Sequence, residues 1–240
     1  MCRGAACSSV CVTRPGDKPV PDLRTHYRAD ALSWVSAPFP KPADMSNERP
    51  IKLLVTGGSR SGKSAHAEAT ARALARTVSF IATARVDDEE MSSRIVLHRQ
   101  RRPEGWTTIE EPIALSSAIA DALRERGAER HCIVIDCVTL WLFNVLGLNE
   151  MSGPDNEPPL QIERLERERL ELLAAVRDCP AHLVIVTNEL GSGVVPMGRL
   201  TRRFVDEHGW TNQRLAAACD QVVFTVSGIP VTIKPAGRAA

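Results

Sequence analysis

Gly57-Gly58-Ser59-Arg60-Ser61-Gly62-Lys63-Ser64 follows the apolar run Ile51-Lys52-Leu53-Leu54-Val55-Thr56 and opens the Ala-rich segment Ala65 to Ala75. Strand, glycine loop and helix in that order are the context a phosphate-binding P-loop needs. Gly57 and Gly62 let the backbone curl so that several N–H groups point inward at phosphate oxygens. Lys63 adds a positive charge near the β and γ phosphates, and the Ser64 hydroxyl can ligate Mg²⁺. The helix N-terminus behind the loop contributes its own partial positive charge. A Gly/Ser surface turn could spell the same letters, but it would require neither the strand before it nor the helix after it. The stretch therefore predicts a nucleotide site, with Gly57, Gly58, Ser59, Arg60, Ser61, Gly62, Lys63 and Ser64 forming its cradle.

Beyond the loop, short β-rich runs alternate with longer helical ones. Strands are predicted at about 51–56, Val78 to Thr83, Cys132 to Cys137, Leu183 to Asn188, Val222 to Val226 and Val231 to Lys234. Helical segments between the first four give the βαβ pattern of a mostly parallel α/β sheet with helices on both faces. The last two runs, joined by Ser227-Gly228-Ile229-Pro230, read as a C-terminal edge hairpin. Ligands in such folds bind beyond the C-terminal ends of the strands, so chemistry is expected there.

Residues 50–240 suffice for one well-buried catalytic domain. The net charge of +1 gives no general field for nucleic acid, so anion binding must be local. No apolar run approaches the ~20 residues of a membrane span. Cys132, Cys137, Cys179 and Cys219 are scattered without metal-ligand spacing and read as reduced structural thiols, which fits a cytoplasmic protein. Residues 1–49 differ: six prolines from Pro15 to Pro42 interrupt any periodic pattern. That stretch reads as a disordered leader, with Met45 as an alternative start.

The strand Ile133-Val134-Ile135-Asp136 supplies a carboxylate at its C-terminal end. A P-loop enzyme needs such an acid to hold Mg²⁺ opposite Ser64, although Asp136 could instead cap the helix beginning near Val138. Thr187-Asn188-Glu189 makes a second polar strand end facing the expected cleft. Asp136 lacks the Asp-x-x-Gly continuation of regulatory GTPases, and nothing matches the protein-kinase set. A small-molecule kinase or nucleotidyltransferase remains.

Asp87-Asp88-Glu89-Glu90 suits a helix N-terminus, and Arg99-Gln100-Arg101-Arg102 before Pro103 suits its end. Met91, Ile95 and His98 share one face of that helix, with Arg102 one turn on. A histidine on an apolar stripe is ordinarily a packed core residue. His98 stands among three arginines beside a phosphate site, where a neutral imidazole is a competent nucleophile towards an α-phosphate.

Taken together, these residues resemble the bifunctional adenosylcobinamide kinase/adenosylcobinamide-phosphate guanylyltransferase family of cobalamin biosynthesis. The matching pieces begin with Val55 through Ser64, His66-Ala67-Glu68 and Ile81-Ala82-Thr83-Ala84. They continue with Asp87-Asp88-Glu89, Arg94-Ile95, His98-Arg99, Arg102-Pro103, Trp106, Glu110 and Asp136-Cys137-Val138-Thr139. Val186-Thr187-Asn188-Glu189, Val195-Pro196, Asn212-Gln213, Leu215-Ala216-Ala217 and Ser227-Gly228 complete the order over about residues 51–234. The resemblance implies phosphorylation of adenosylcobinamide by ATP or GTP, then transfer of GMP from GTP through a guanylylated histidine, giving adenosylcobinamide-GDP and pyrophosphate. It maps that histidine to His98. It maps nucleotide contacts to the P-loop and to Ala82, Thr83, Ala84, Arg99, Gln100, Arg101, Arg102, Glu110 and Asp136, with Mg²⁺ at Ser64 and Asp136. A homotrimer is also implied. Two other classes stay open at this point: a P-loop kinase for a different acceptor, with His98 structural, and a nucleotide-binding partner protein without chemistry.

A chain started at Met45 is expected to keep its melting temperature and its activities, because residues 1–44 offer no periodic apolar face to bury. Thermal unfolding and turnover of the truncated chain check this; a loss of either would mean that the leader packs on the domain.

Overall fold

A computed structural model describes residues 49–85, 103, 105–148 and 160–236. The proposed leader, apart from Arg49, lies outside the described residues. Seven strands form one sheet: β1 (Lys52–Gly57), β2 (Thr77–Ala82), β3 (Thr107–Glu110), β4 (His131–Asp136), β5 (His182–Val186), β6 (Gln221–Val226) and β7 (Ile229–Lys234). Their order is β3-β2-β4-β5-β1-β6-β7, all parallel except the antiparallel β7 at one edge. The helices are α1 (Lys63–Leu74), α2 (Leu115–Arg126), α3 (Val138–Val145), α4 (Ile162–Asp178) and α5 (Arg199–Ala218).

The predicted α/β class with a mostly parallel sheet is what forms, and two differences have local causes. Strand β3 was not anticipated. Its four residues, Thr107 to Glu110, are alternately half-buried and exposed, too short and too polar to stand out as a strand. The hairpin turn is also tighter than the predicted four residues. Only Ser227 and Gly228 form it, with φ of 52° and 81°, so Ile229 and Pro230 belong to β7. Two consecutive left-handed residues match the right-handed twist of the paired strands.

Every residue of β1 is buried, the condition of a central parallel strand covered on both faces. Leu53, Val55, Val134, Val184 and Val186 point to one face, where Ala67 and Ala71 of α1 pack. Those small residues, one turn apart, let α1 lie close to the sheet. Trp106 stacks on Phe80 at 6.3 Å and closes the rim of this layer, with the Arg72 guanidinium 5.7 Å from its ring. Leu54, Ile133, Ile135, Leu183 and Ile185 point to the other face, which α2 to α5 cover around the buried Trp141 and Leu142.

Helices α4 and α5 meet through charge as well as apolar contact. Arg169 of α4, 1% exposed, donates through Nη2 to Glu166 at 2.8 Å and to the buried Glu207 of α5 at 3.0 Å. The sequence of α4 suggests a solvated face with Glu163–Arg167 and Arg164–Glu168 pairs. The pairs that form on it are Arg169–Glu166 and Arg167–Glu168. Arg169 follows Leu165 and precedes Leu172, Leu173 and Val176 on the buried stripe, and that is what takes it inward.

His208, which in sequence sits in a charged helix, is likewise buried. Its Nε2 lies 3.0 Å from Thr139 Oγ1 and 3.3 Å from Thr187 Oγ1. Thr187 donates to Asn212 Oδ1 at 2.8 Å, and Asn212 Nδ2 donates to the Asn188 carbonyl at 2.9 Å. The Asn188 N–H donates to Thr139 Oγ1 at 3.0 Å. The segment leaving β5 is thus clamped between α3 and α5.

Burial pushes His208 down to about 4 from its ordinary 6.5, so it is neutral in the folded protein at pH 7. The unfolded chain takes up a proton near pH 6.5 and the folded protein only near 4, so acid favours unfolding through that window. The loss from this residue should reach on the order of 3 kcal/mol at pH 4. His66 and His131, also lowered by burial, act in the same direction. Denaturant titrations from pH 7 to 4 should show a shallower decline for His208→Gln than for the unsubstituted chain; equal slopes would mean that His208 takes a proton in the folded state.

Candidate active site

The loop Gly58 to Gly62 joins the C-terminal end of β1 to the N-terminus of α1. Gly57, Arg60 and Gly62 have φ of 150°, 55° and 98°, and these angles curl the backbone into a concave turn. Ser59 and Arg60 are exposed at its tip, whereas Ser61 and Lys63 are buried. Lys63 Nζ donates to the Gly58 carbonyl at 2.7 Å, so the side chain folds back across the loop. An ammonium has three donors, and one such bond leaves two to offer a phosphate.

The edge hairpin holds this loop from the side. The Gly228 N–H donates to the Ser61 carbonyl at 2.9 Å, and Ser61 Oγ lies 3.0 Å from Thr225 Oγ1. Thr225 also donates to the Thr56 carbonyl at 3.1 Å. A Cβ at Gly57 would lie 2.3 Å from the Thr225 carbonyl oxygen and 2.8 Å from its hydroxyl; one at Gly62 would lie 3.2 Å from Gly228 Cα. At Gly58 a Cβ would meet nothing within 4 Å. On the other side, the Glu189 N–H donates to the Gly57 carbonyl at 2.9 Å.

Parallel register sets one row of residues across the strand ends: Glu110, Ala82, Asp136, Val186 and Val55 are successive partners. Asp136 stands two strand spacings from β1, roughly 10 Å. Burial lowers the Lys63 pKa, and the Asp136 charge opposes that shift, which places the carboxylate within electrostatic reach of the ammonium. The helix after Asp136 begins at Val138 with Cys137 at its N-cap position. Burial, then the adjacent Asp136 charge, pushes the Cys137 thiol up to about 12, so this thiol is no nucleophile at neutral pH.

Ala82, Thr83 and Ala84 leave β2 beside this strand. Thr83 is fully buried; its Oγ1 donates to the Cys137 carbonyl at 2.8 Å and accepts from the Cys137 N–H at 2.9 Å. Its hydroxyl therefore ties β2 to β4. Glu110 is exposed at the end of β3, four strand spacings or about 19 Å from β1, too far to meet a phosphate held by the loop. Thus the P-loop and Asp136 come together, and Glu110 stands apart. His98, Arg99, Gln100, Arg101 and Arg102 lie outside the described residues, as does the helix expected from Asp87.

Mg²⁺ fits the groups present. Ser64 and Asp136 are hard oxygen donors, and no cluster of three His, Cys, Asp or Glu forms a self-contained metal cage among the described residues. Such donors suit an ion held by one or two protein oxygens together with phosphates. Cys132, Cys137, Cys179 and Cys219 are free thiols. Thr225 is the residue that sequence reading missed: it stands in a strand as an ordinary β-former, and only its pairing with Gly57 reveals its part. The signal available was Ser227-Gly228, a tight turn whose neighbour strand had to lie somewhere.

A glycine loop after the central strand and an acid ending a strand two places away define a P-loop nucleotide-using enzyme. Residues 53–233 match the family model described as cobinamide kinase / cobinamide phosphate guanyltransferase, and the chain belongs to that family. The Pseudomonas aeruginosa bifunctional adenosylcobalamin biosynthesis protein CobP is 44% identical over 184 residues, 77% of this chain and 98% of the relative. The Salmonella typhimurium bifunctional adenosylcobalamin biosynthesis protein CobU is 44% identical over 186 residues, 77% of this chain and all of the relative. The ATPase domain of G40P aligns over 74% of this chain and 70% of its own at a TM-score of 0.43 and 13% identity, a likeness that carries no argument about function.

The two glycines at the start of the loop should respond differently to a methyl group. Gly57→Ala is expected to destabilise the fold by on the order of 3 kcal/mol, through overpacking and strained backbone. Gly58→Ala should leave the melting temperature unchanged. Thr225→Val should weaken nucleotide binding about tenfold, the scale of one hydrogen bond, with Thr225→Ser restoring it. Thermal unfolding and nucleotide titration check these; equal melting temperatures for the two alanine variants would contradict the packing at Gly57.

Proposed function

We propose that this chain catalyses both reactions that its family's description couples. In the first, the hydroxyl oxygen of adenosylcobinamide bonds to the γ-phosphorus of ATP or GTP. The bond to the bridging oxygen breaks, a nucleoside diphosphate leaves, and the alcohol proton passes to solvent. In the second, an imidazole nitrogen of His98 attacks the α-phosphorus of GTP and pyrophosphate leaves. A phosphate oxygen of the new ester then displaces the histidine, giving adenosylcobinamide-GDP.

The observation that carries this reading is the buttressed phosphate loop facing Asp136, in a chain matched to the family over residues 53–233. Lys63 and the loop N–H groups neutralise the transferring phosphoryl, the main task of the protein in such reactions. Mg²⁺, held by Ser64 and Asp136 with the phosphates, would neutralise further charge. For Arg99, Gln100, Arg101, Arg102, Ala82, Ala84 and Glu110, the support for nucleotide contact is the match of sequence alone. Passage through histidine divides one hard displacement into two, each with a good leaving group.

The reading includes a cytoplasmic location, supported by the free thiols and by the lack, among the described residues, of any helix long and apolar enough to cross a membrane. It also includes a homo-oligomer, a trimer on the family resemblance. The exposed apolar residues Ile229, Val231 and Ile233 on the edge strand support such association.

Incubation with α-labelled GTP and Mg²⁺ should label the chain with GMP at His98, in a bond labile to acid and stable to base. His98→Ala is expected to abolish both the label and guanylyl transfer while sparing phosphorylation of the alcohol. Normal labelling of His98→Ala would refute the assignment and point to His66. Phosphorylation of the acceptor without any adduct would identify a kinase alone, and nucleotide binding without turnover a binding module.

A further inference from the structure

After Glu189 the chain does not return to the core. It runs from Leu190 to Met197 as an exposed loop before α5 begins. Arg202 Nη1 donates to the Pro196 carbonyl at 3.0 Å and also bonds the Met197 carbonyl, so the loop is tied to the first turn of the helix. Between loop and helix lies a cavity of about 380 Å³. Leu190, Val195 and Pro196 line one wall; Asp206, Trp210 and Gln213 line the other. Val194 and Met197 are 95% and 94% exposed, and Trp210 is 46% exposed. The Arg203 guanidinium lies 5.6 Å from the Trp210 ring, over one of its faces.

We propose that this groove seats the corrin macrocycle of the cobinamide substrate, presenting its alcohol arm to the phosphate loop. The inference rests on the cobinamide reading above. Position is the first argument. The Glu189 N–H is bonded to the Gly57 carbonyl, and Leu190 follows directly, so one wall of the groove begins next to the residue held against the start of the cradle. Chemistry is the second. A corrin is a broad, methyl-rich ring with a rim of carboxamides. Apolar walls and an indole face suit the ring; the Gln213 amide and the Asp206 carboxylate suit amides at its rim. Helix α5 serves both sites through neighbouring residues: Asn212 turns inward to hold Asn188, and Gln213 lines the groove.

Two variants of the full-length protein test this. Val195→Asp lies on the exposed loop, where it removes nothing from the core, and Trp210→Ala removes the indole. Equilibrium dialysis with dicyanocobinamide, read by its visible absorbance, should show at least a tenfold loss of affinity in both. Steady-state kinetics should show a raised KM for cobinamide with little change in kcat. GTP affinity and the mass in sedimentation should stay as in the unsubstituted chain. Unchanged corrinoid affinity in Val195→Asp and Trp210→Ala would overturn the proposal while leaving the proposed function standing. So would a shift in mass without loss of corrinoid affinity, which would make the groove a contact between copies. An unsubstituted chain that binds GTP but neither binds nor phosphorylates cobinamide would overturn both readings. If Trp210→Ala fails to fold, Val195→Asp alone decides.

Discussion

No side chain fits at position 57. Any Cβ there would run into the Thr225 carbonyl of the neighbouring strand, which is backbone and cannot swing away. The same closeness lets Thr225 bond both Thr56 and Ser61, and lets the turn at Gly228 reach the Ser61 carbonyl. The phosphate loop is therefore held by the β6–β7 hairpin on one side, by Glu189 on the other, and by α1 behind. A loop fixed in this way meets a phosphate without first giving up conformational freedom, which is where preorganised sites gain over flexible ones.

The second constraint lies deeper. Glu207, buried on α5, accepts from Arg169 of α4 at 3.0 Å and from Arg203 at 2.5 Å. Desolvating such a group of charges offsets most of their attraction, so the network adds little net stability. Replacing Glu207, however, would leave the buried Arg169 with the half-exposed Glu166 alone, at a cost approaching the roughly 3–5 kcal/mol of a broken buried pair. What the network supplies is position. It sets the rotation of α5, and that rotation turns His208 and Asn212 towards the end of β5 while Trp210 and Gln213 face the groove. One helix thus couples the clamp on Thr187-Asn188 to the surface beside the cradle.

How much of this was legible in the chain depended on range. The glycine loop, the strand before it and the helix after it are local, and Gly57 to Ser64 states them within eight residues. Asp136 was legible because a buried run ending in an acid has few other meanings beside such a loop. Strand β3 was not, because Thr107 to Glu110 carries no apolar alternation strong enough to notice. His208 was hidden by its neighbours: Arg202, Arg203, Asp206 and Glu207 make the helix look solvated. Yet Phe204, His208, Thr211 and Leu215 recur at helical spacing, and that stripe marks the inward face. The role of Thr225 was barely signalled, by the Ser227-Gly228 turn alone, since it depends on a partner 168 positions earlier in the chain, reached only through the sheet register.

The register also sets where the carboxylate stands relative to the loop. Strand β5 intervenes between β1 and β4, so Asp136 stands roughly two strand spacings from the strand that leads into the loop. Lys63 turns to the Gly58 carbonyl, a neutral acceptor that fixes its direction without consuming its charge. Burial weakens the hold of Lys63 on its proton, and the field of Asp136 restores part of it. The carboxylate thus acts against burial, in favour of the cationic form of the lysine. Strand order, more than any single contact, decides which acid stands across from the loop.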